Sequence, residues 1–277
     1  MALASFLRAR ALGTDVEIKG EGATEALREV RRLEDILTRF RESPLTRLND
    51  DGVLPRPPIE LVEALQHALH VARLTDGLVT PTVLQALKAA GYDERPGGPV
   101  RLAVSVPSTR GVVCDLGEIC LPPRVSLDLG GTAKSWIVER AFRFLSGDAM
   151  LNAGGDLLSR RSEPFSVEIE HPFGEARRFL ELAPGTWGIA TSSLMKRAWV
   201  GGHHLIDPRT FRPVDSPLVQ VTVAASSVTT AEVLAKLAFL DDAALKAFPL
   251  EGPAWLVAYD TSGRVLRRTL RPGEAAA

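Results

Sequence analysis

Val219-Gln220-Val221-Thr222-Val223-Ala224-Ala225, followed by Thr230-Ala231-Glu232-Val233-Leu234-Ala235-Lys236-Leu237, decides how this chain folds. The first run reads as a strand and the second as a helix, with the switch made within a few residues. Upstream lie Thr191-Ser192-Ser193 and then Gly201-Gly202-His203-His204-Leu205-Ile206-Asp207-Pro208-Arg209-Thr210. Pro208 pins its own φ and biases Asp207 toward extended backbone. His204 and Asp207 are therefore expected on stiff chain rather than on a floppy loop. Taken alone, these residues leave two readings open: an Asx-type turn with incidental histidines, or a site that uses an imidazole and a carboxylate together.

Working outward, the bulk properties bound the answer. The chain has 277 residues, 45% hydrophobic and 24% charged, which suits a globular protein with a sizeable core. The formal net charge is −1 and no long basic block appears, which argues against nucleic acid or an anionic membrane as the main partner. No apolar run is long enough for a membrane span. The first residues carry no basic region ahead of an apolar run, and Arg8 and Arg10 come early, so a cytoplasmic location is expected. Two cysteines, Cys114 and Cys120, flank a turn at Asp115-Leu116-Gly117-Glu118 and are expected to stay reduced.

The remaining segments read in order. Leu12 to Ile18 alternates as an opening strand. Residues 23–40 form an amphipathic helix with Leu27, Val30, Leu33, Ile36, Leu37 and Phe40 on one stripe. A second helix spans about 59–74 and carries His67 and His70 three apart, without a visible third ligand. Pro81 suits the first residue of a helix. Residues 91–101 form a loop, and strands are expected around Val112 and Val125. Next comes Ser126-Leu127-Asp128-Leu129-Gly130-Gly131-Thr132-Ala133-Lys134-Ser135-Trp136. A strand ending in Gly130-Gly131 before a helix leaves backbone N–H groups free for an anion, and Lys134 adds a mobile positive charge. Asn152-Ala153-Gly154-Gly155-Asp156 is a second glycine turn, where backbone can approach a ligand closely. There Asp156 either orients a ligand or holds the turn. Thr186–Ala190 leads a strand into Thr191, and Ala254–Tyr259 and Val265–Thr269 are joined at Thr261-Ser262-Gly263 as a hairpin. The tail from Pro272 is expected to fray. With no repeat and no linker, the chain reads as a single α+β domain over 1–277, with mixed or antiparallel sheets and packed helices.

Several of these segments resemble motifs of one family. The His204 segment resembles the H-I-I-D-P-x-T-G-x-P signature of the ApbE-like FAD:protein FMN transferases, which is preceded there by a T-S-G turn. Leu127–Lys134 resembles the family's L-D-L-G-G-I-A-K-G, Asn152–Asp156 its N-x-G-G-D, and Arg41–Asn49 its Y-x-x-x-S-x-L-S-x-L-N, with Phe40 near the usual tyrosine. Thr75–Thr82 resembles T-x-G-x-F-D-P-T. The resemblance covers roughly residues 13–240 and implies a fold related to the T-fold.

It also implies an activity. FAD would be split at its pyrophosphate, FMN passed to a threonine hydroxyl of an acceptor protein, and AMP released. The implied catalytic pair is His204 with Asp207. The implied flavin contacts are Gly130, Gly131, Lys134, Gly154, Gly155, Asp156, Thr191, Ser192 and Phe40. An Mg²⁺ ion would be held through Ala133 and Glu232. The alternative is a non-catalytic member that binds FAD or serves a structural role. It is motivated by departures: Thr80, Ser135, Phe211 and Lys236 stand where the family has Asp, Gly, Gly and Thr. Lys236 matters most, because an ammonium donates hydrogen bonds and cannot ligate a metal. At four residues' spacing on a helix it either pairs with Glu232 or turns away.

Overall fold

A computed structural model of the protein describes residues 6–93, 97–174 and 177–273. The first five residues and the end of the tail lie outside the described residues. The chain divides into two compact units: residues 1–32, 134–193 and 216–277 form one, and residues 33–133 with 194–215 form the other. Helices and antiparallel strands make up both, so the α+β expectation holds.

The first unit is built on an eight-stranded sheet. In spatial order its strands are Phe6–Ala11, Thr14–Glu21, Ser146–Ala153, Asp156–Arg161, Gly185–Ser193, Leu218–Ala225, Ala254–Asp260 and Val265–Leu270. Every neighbouring pair is antiparallel. The strand Leu218–Ala225 is buried at every position after Leu218, polar Gln220 and Thr222 included, as befits a strand covered on both faces. On one face lies the helix Val228–Leu240, in which Val228, Ala231, Val233, Leu234, Ala235, Leu237, Phe239 and Leu240 are all buried. Apolar side chains around its whole circumference mark a core helix rather than a surface one. It approaches so closely that a Cβ on Gly188 would lie 2.0 Å from the Val228 nitrogen. The opposite face packs Ile189 and Ala224 against the hairpin Phe165–Ile169 and Arg178–Leu182, through Phe165, Val167, Leu180 and Leu182. Trp187 and Trp255 meet edge to face with centroids 4.8 Å apart.

Three boundaries differ from the sequence reading. Leu12 and Gly13 do not open a strand. Both have positive φ (55° and 67°) and form the two-residue turn between Phe6–Ala11 and Thr14–Glu21; such a turn matches the twist of the flanking strands. Thr191, Ser192 and Ser193 form no turn. They continue the strand Gly185–Ser193 and pair with Thr222, Val221 and Gln220. The first helix ends at Leu37, so Phe40 leaves its stripe and is 51% exposed.

The second unit holds the helices Pro44–Asp51, Ile59–Leu74 and Leu84–Ala89. Ser43 caps the first of these: its hydroxyl accepts from the Thr46 N–H while the Thr46 hydroxyl accepts from the Ser43 N–H, with Pro44 following as the first helical residue. Pro81 opens a 3₁₀ turn, Pro81–Val83, ahead of the third helix. A small sheet joins Val53–Pro55, Glu118–Cys120 and Val113–Cys114. Cys114 sits opposite Ile119, and Cys120 opposite Val113. The alternation of side chains therefore turns the two thiols to opposite faces, and both are free. No strand forms around Val125. The segment 125–129 joins no sheet; the Asn49 amide instead clamps Leu127, accepting from its N–H at 2.7 Å and donating to its carbonyl at 2.9 Å. The Asp128 N–H donates to the Pro81 carbonyl at 2.8 Å.

Candidate active site

In the first unit, two carboxylates and two ammonium groups are gathered under the sheet's helical cover. Asp156 opens its strand just after the turn at Gly154 and Gly155, whose φ values are 62° and 100°. A Cβ at Gly154 would lie 2.3 Å from the Thr14 hydroxyl oxygen, so this glycine makes room for the protein's own neighbouring strand. Gly155 lies beside Thr191, whose N–H donates to the Gly155 carbonyl at 3.0 Å. The Thr191 hydroxyl in turn meets that of Thr222 at 2.9 Å.

Lys134 is not a mobile charge: its Nζ lies 2.5 Å from Asp156 Oδ2. Glu232 is 4% exposed on the helix Val228–Leu240, and one turn on, Lys236 Nζ sits 2.9 Å from Glu232 Oε1. The other carboxylate oxygen, Oε2, accepts a hydrogen bond from the Ser135 hydroxyl. Lys236 thus pairs with Glu232 rather than turning away. Burial pushes the Asp156 carboxyl above its ordinary range; Lys134 pulls it back, Glu232 adds to the rise, and burial prevails.

In the second unit, the residues singled out from the sequence separate into turn-holding and exposed groups. The Gly130 N–H is not free for an anion. It donates to Asp128 Oδ1 at 2.7 Å, and the Thr132 and Ala133 N–H groups donate to the Leu129 carbonyl at 3.0 and 2.7 Å. The expected anion cradle of free amides is therefore largely consumed by the turn that starts the helix Ala133–Phe142. Asp207 does not spend its carboxylate on an imidazole. Its oxygens receive the Arg209 N–H at 2.9 Å, Arg209 Nε at 3.0 Å and Arg209 Nη2 at 2.9 Å. Burial pushes its carboxyl up, but these donors outweigh burial and hold it below the usual range.

The adjacent histidines have different surroundings. His203 Nδ1 accepts from the Leu205 N–H at 3.3 Å, and Nε2 lies 3.1 Å from the Val214 carbonyl. That pairing needs a proton on Nε2 and none on Nδ1, so the ring is neutral; burial lowers its pKa accordingly. His203 is a latch of the loop. His204 is half-buried, and its N–H donates to the Arg197 carbonyl at 3.3 Å. Thr80 caps the 3₁₀ turn, its hydroxyl accepting from the Thr82 N–H. Phe211 carries a φ of 64°, the conformation for which glycine is suited.

Sequence reasoning missed Arg39. Its guanidinium pairs with Asp128, donates to the backbone carbonyls of Asp93 at 2.8 Å and Tyr92 at 3.2 Å, and lies 4.2 Å from the centroid of the Phe40 ring. Tyr92 continues the row of rings to Trp199, centroids 5.6 Å apart. Its partners are 53 to 89 residues away, so no local pattern marks it. Asn49 was visible only as the last letter of a matched motif.

These features define an α+β protein with a buried, paired acid–base cluster on one unit and a histidine-bearing loop on the other. A model of the ApbE family matches residues 12–248, and the chain belongs to that family. It is 25% identical to the FAD:protein FMN transferase of Vibrio cholerae over 76% of this chain and 71% of that one. It is 23% identical to the enzyme of the same name from Klebsiella pneumoniae over 78% and 74%. Among solved structures, the ApbE protein of Thermotoga maritima superposes with a TM-score of 0.79 at 24% identity, covering 95% of this chain and 96% of the other. The flavin transferase ApbE of Vibrio cholerae superposes at 0.75 and 22%, covering 96% of each.

The donor set does not fit the Mg²⁺ that the family resemblance implies. A hard dication needs free oxygen ligands. Both oxygens of Glu232 are engaged by protein donors, Lys236 offers no lone pair when charged, and Asp156 is engaged by Lys134. Among the described residues, no group of three or more His, Cys, Asp or Glu is gathered as a metal site.

Proposed function

We propose that this protein is an FAD:protein FMN transferase. The family match over 12–248 carries the reading, together with His204, Asp207, Lys134 and Asp156 at the positions of the family's motifs. In the proposed reaction, a threonine hydroxyl oxygen of the acceptor protein attacks the phosphorus on the FMN side of the FAD pyrophosphate. A bond from that phosphorus to oxygen forms, the bond to the bridging oxygen breaks, and AMP leaves with the electron pair. The hydroxyl proton passes to the His204 imidazole, a side chain that can accept a proton at one ring nitrogen. Such a transfer depends on positioning and charge neutralisation more than on covalent chemistry. Lys134 and Lys236 supply the positive charge for the phosphate oxygens. Gly155, Thr191 and Ser192 are the proposed flavin contacts on the first unit. Asp207 holds the loop that presents His204, acting through Arg209.

A second reading, a member that binds FAD without catalysis, is favoured by one observation: Lys236, which replaces the threonine of the family's motif, is ion-paired with Glu232. The two readings part on a single assay. Purified protein is incubated with FAD and a peptide carrying an acceptor threonine, and AMP and flavinylated peptide are measured. Formation of both supports transfer; saturable FAD binding without AMP supports the second reading. Within the transferase reading, His204→Ala is expected to abolish transfer while FAD affinity stays within about threefold, because proton transfer matters in the transition state and not in ground-state binding. A loss of affinity with activity retained would make His204 a ligand contact instead.

A further inference from the structure

Four groups, Lys134, Asp156, Glu232 and Lys236, form a cluster whose formal charges cancel when both carboxylates are ionised. The pairs are graded in depth. Side-chain exposure is 3% for Asp156 against 18% for Lys134, and 6% for Glu232 against 13% for Lys236. In each pair the carboxylate lies at the back and the ammonium nearer solvent. Each ammonium has three N–H donors and spends one on its carboxylate partner, leaving donors for an anion. Ser135 closes the remaining Glu232 oxygen through a long-range contact from another helix, so the carboxylate is held from two sides.

We propose that Lys236 is a built-in replacement for a divalent cation, and that this protein binds its phosphate-bearing ligand without metal. A dication entering here would have to displace the ammonium from a buried carboxylate, leaving Lys236 charged, poorly hydrated and beside a second positive charge. Removing Lys236 reverses the balance: Glu232 becomes an uncompensated buried carboxylate, and a cation from solution becomes its natural partner. The metal exclusion rests on this geometry alone. Only the identity of the phosphate ligand rests on the transferase reading.

The test uses Mn²⁺ as the probe, followed by loss of the free-ion paramagnetic resonance signal, on the full-length native protein and on Lys236→Thr. Native protein is expected to leave the signal unchanged at millimolar ion, with or without FAD. Lys236→Thr is expected to take up Mn²⁺ with an affinity at least about tenfold tighter than native. Lys236→Gln, one atom shorter than lysine, uncharged and carrying an amide oxygen, serves if the threonine variant does not fold. Stoichiometric Mn²⁺ binding by the native protein overturns the proposal. Equal indifference of native and folded variant also overturns it, since Lys236 would not be what excludes the ion. Flavin fluorescence titrations in EDTA and in Mg²⁺ form a separate arm, and the native FAD affinity is expected to differ by less than about twofold between them. A stronger dependence on Mg²⁺ counts against the proposal. Absence of FAD binding in both would fail the transferase reading, while the Mn²⁺ result still decides the metal question.

Discussion

Phe211 shows how one side chain records a departure from its family. Its N–H donates to the Asp207 carbonyl at 2.8 Å, closing the turn after Pro208, and its φ of 64° is that of a glycine. A side chain in left-handed backbone costs about 1–2 kcal/mol. Phe211→Gly removes that cost but gains unfolded-state entropy, so a net stabilisation of about 0.5–1 kcal/mol is expected. Urea denaturation of the two proteins measures it, and a destabilised variant would show that the Phe211 ring contributes packing greater than the strain. The positions of His204 and Asp207 on this stiff loop were legible from Pro208 and the motif. The partnership was not: Asp207 pairs with Arg209, two residues away, because a guanidinium satisfies a carboxylate at two points where an imidazole offers one.

At the scale of elements, the contact that orders the first unit is made by an absence of atoms. Gly188 lets the N-terminus of the helix Val228–Leu240 rest on the strand Gly185–Ser193. With φ outside the left-handed region, the position tolerates other residues by backbone angle, so the objection to a side chain there is purely steric. Gly188→Ala would drive a methyl group into the Ser227–Val228 backbone, and a loss of about 3 kcal/mol or more is expected in chemical denaturation. A change below about 1 kcal/mol would mean that the helix shifts freely on the sheet. Much of the element order was readable, since apolar runs and helical periodicity announce themselves locally. The helix Ile59–Leu74 ends where its pattern ends, and the strand-to-helix switch after Ala225 stands as read. Segment 125–129 was misread as a strand because its apolar residues are buried without a ladder, their backbone bonds answered by the Asn49 side chain. Long-range side-chain partners leave no periodicity behind, and Arg39 escaped for the same reason.

For the whole molecule, both units are assembled from separated stretches of chain. The eight-stranded sheet draws two strands from the start of the chain and six from residue 146 onward. Its edge strands carry Arg8 and Arg10 at one side and Arg267 and Arg268 at the other, charges that discourage pairing with another chain. A fragment of residues 134–277 would lose the first two strands and expose Ser146–Ala153 as an edge containing buried Ala149, Leu151 and Ala153. Size-exclusion chromatography is expected to find that fragment aggregated; a monomeric, cooperatively unfolding fragment would contradict the expectation.

The tryptophan pair gives the same sheet an optical signature. Trp187 and Trp255 stand on strands separated by Leu218–Ala225, and their rings meet at an interplanar angle of 68°. Two indole transition dipoles so close and so inclined couple as an exciton, and their circular dichroism couplet exists only while the three strands keep their register. Deleting either indole, as in Trp255→Phe, should erase the couplet while leaving the backbone signal in place, so the chain carries an intrinsic, label-free gauge of whether its central sheet is intact.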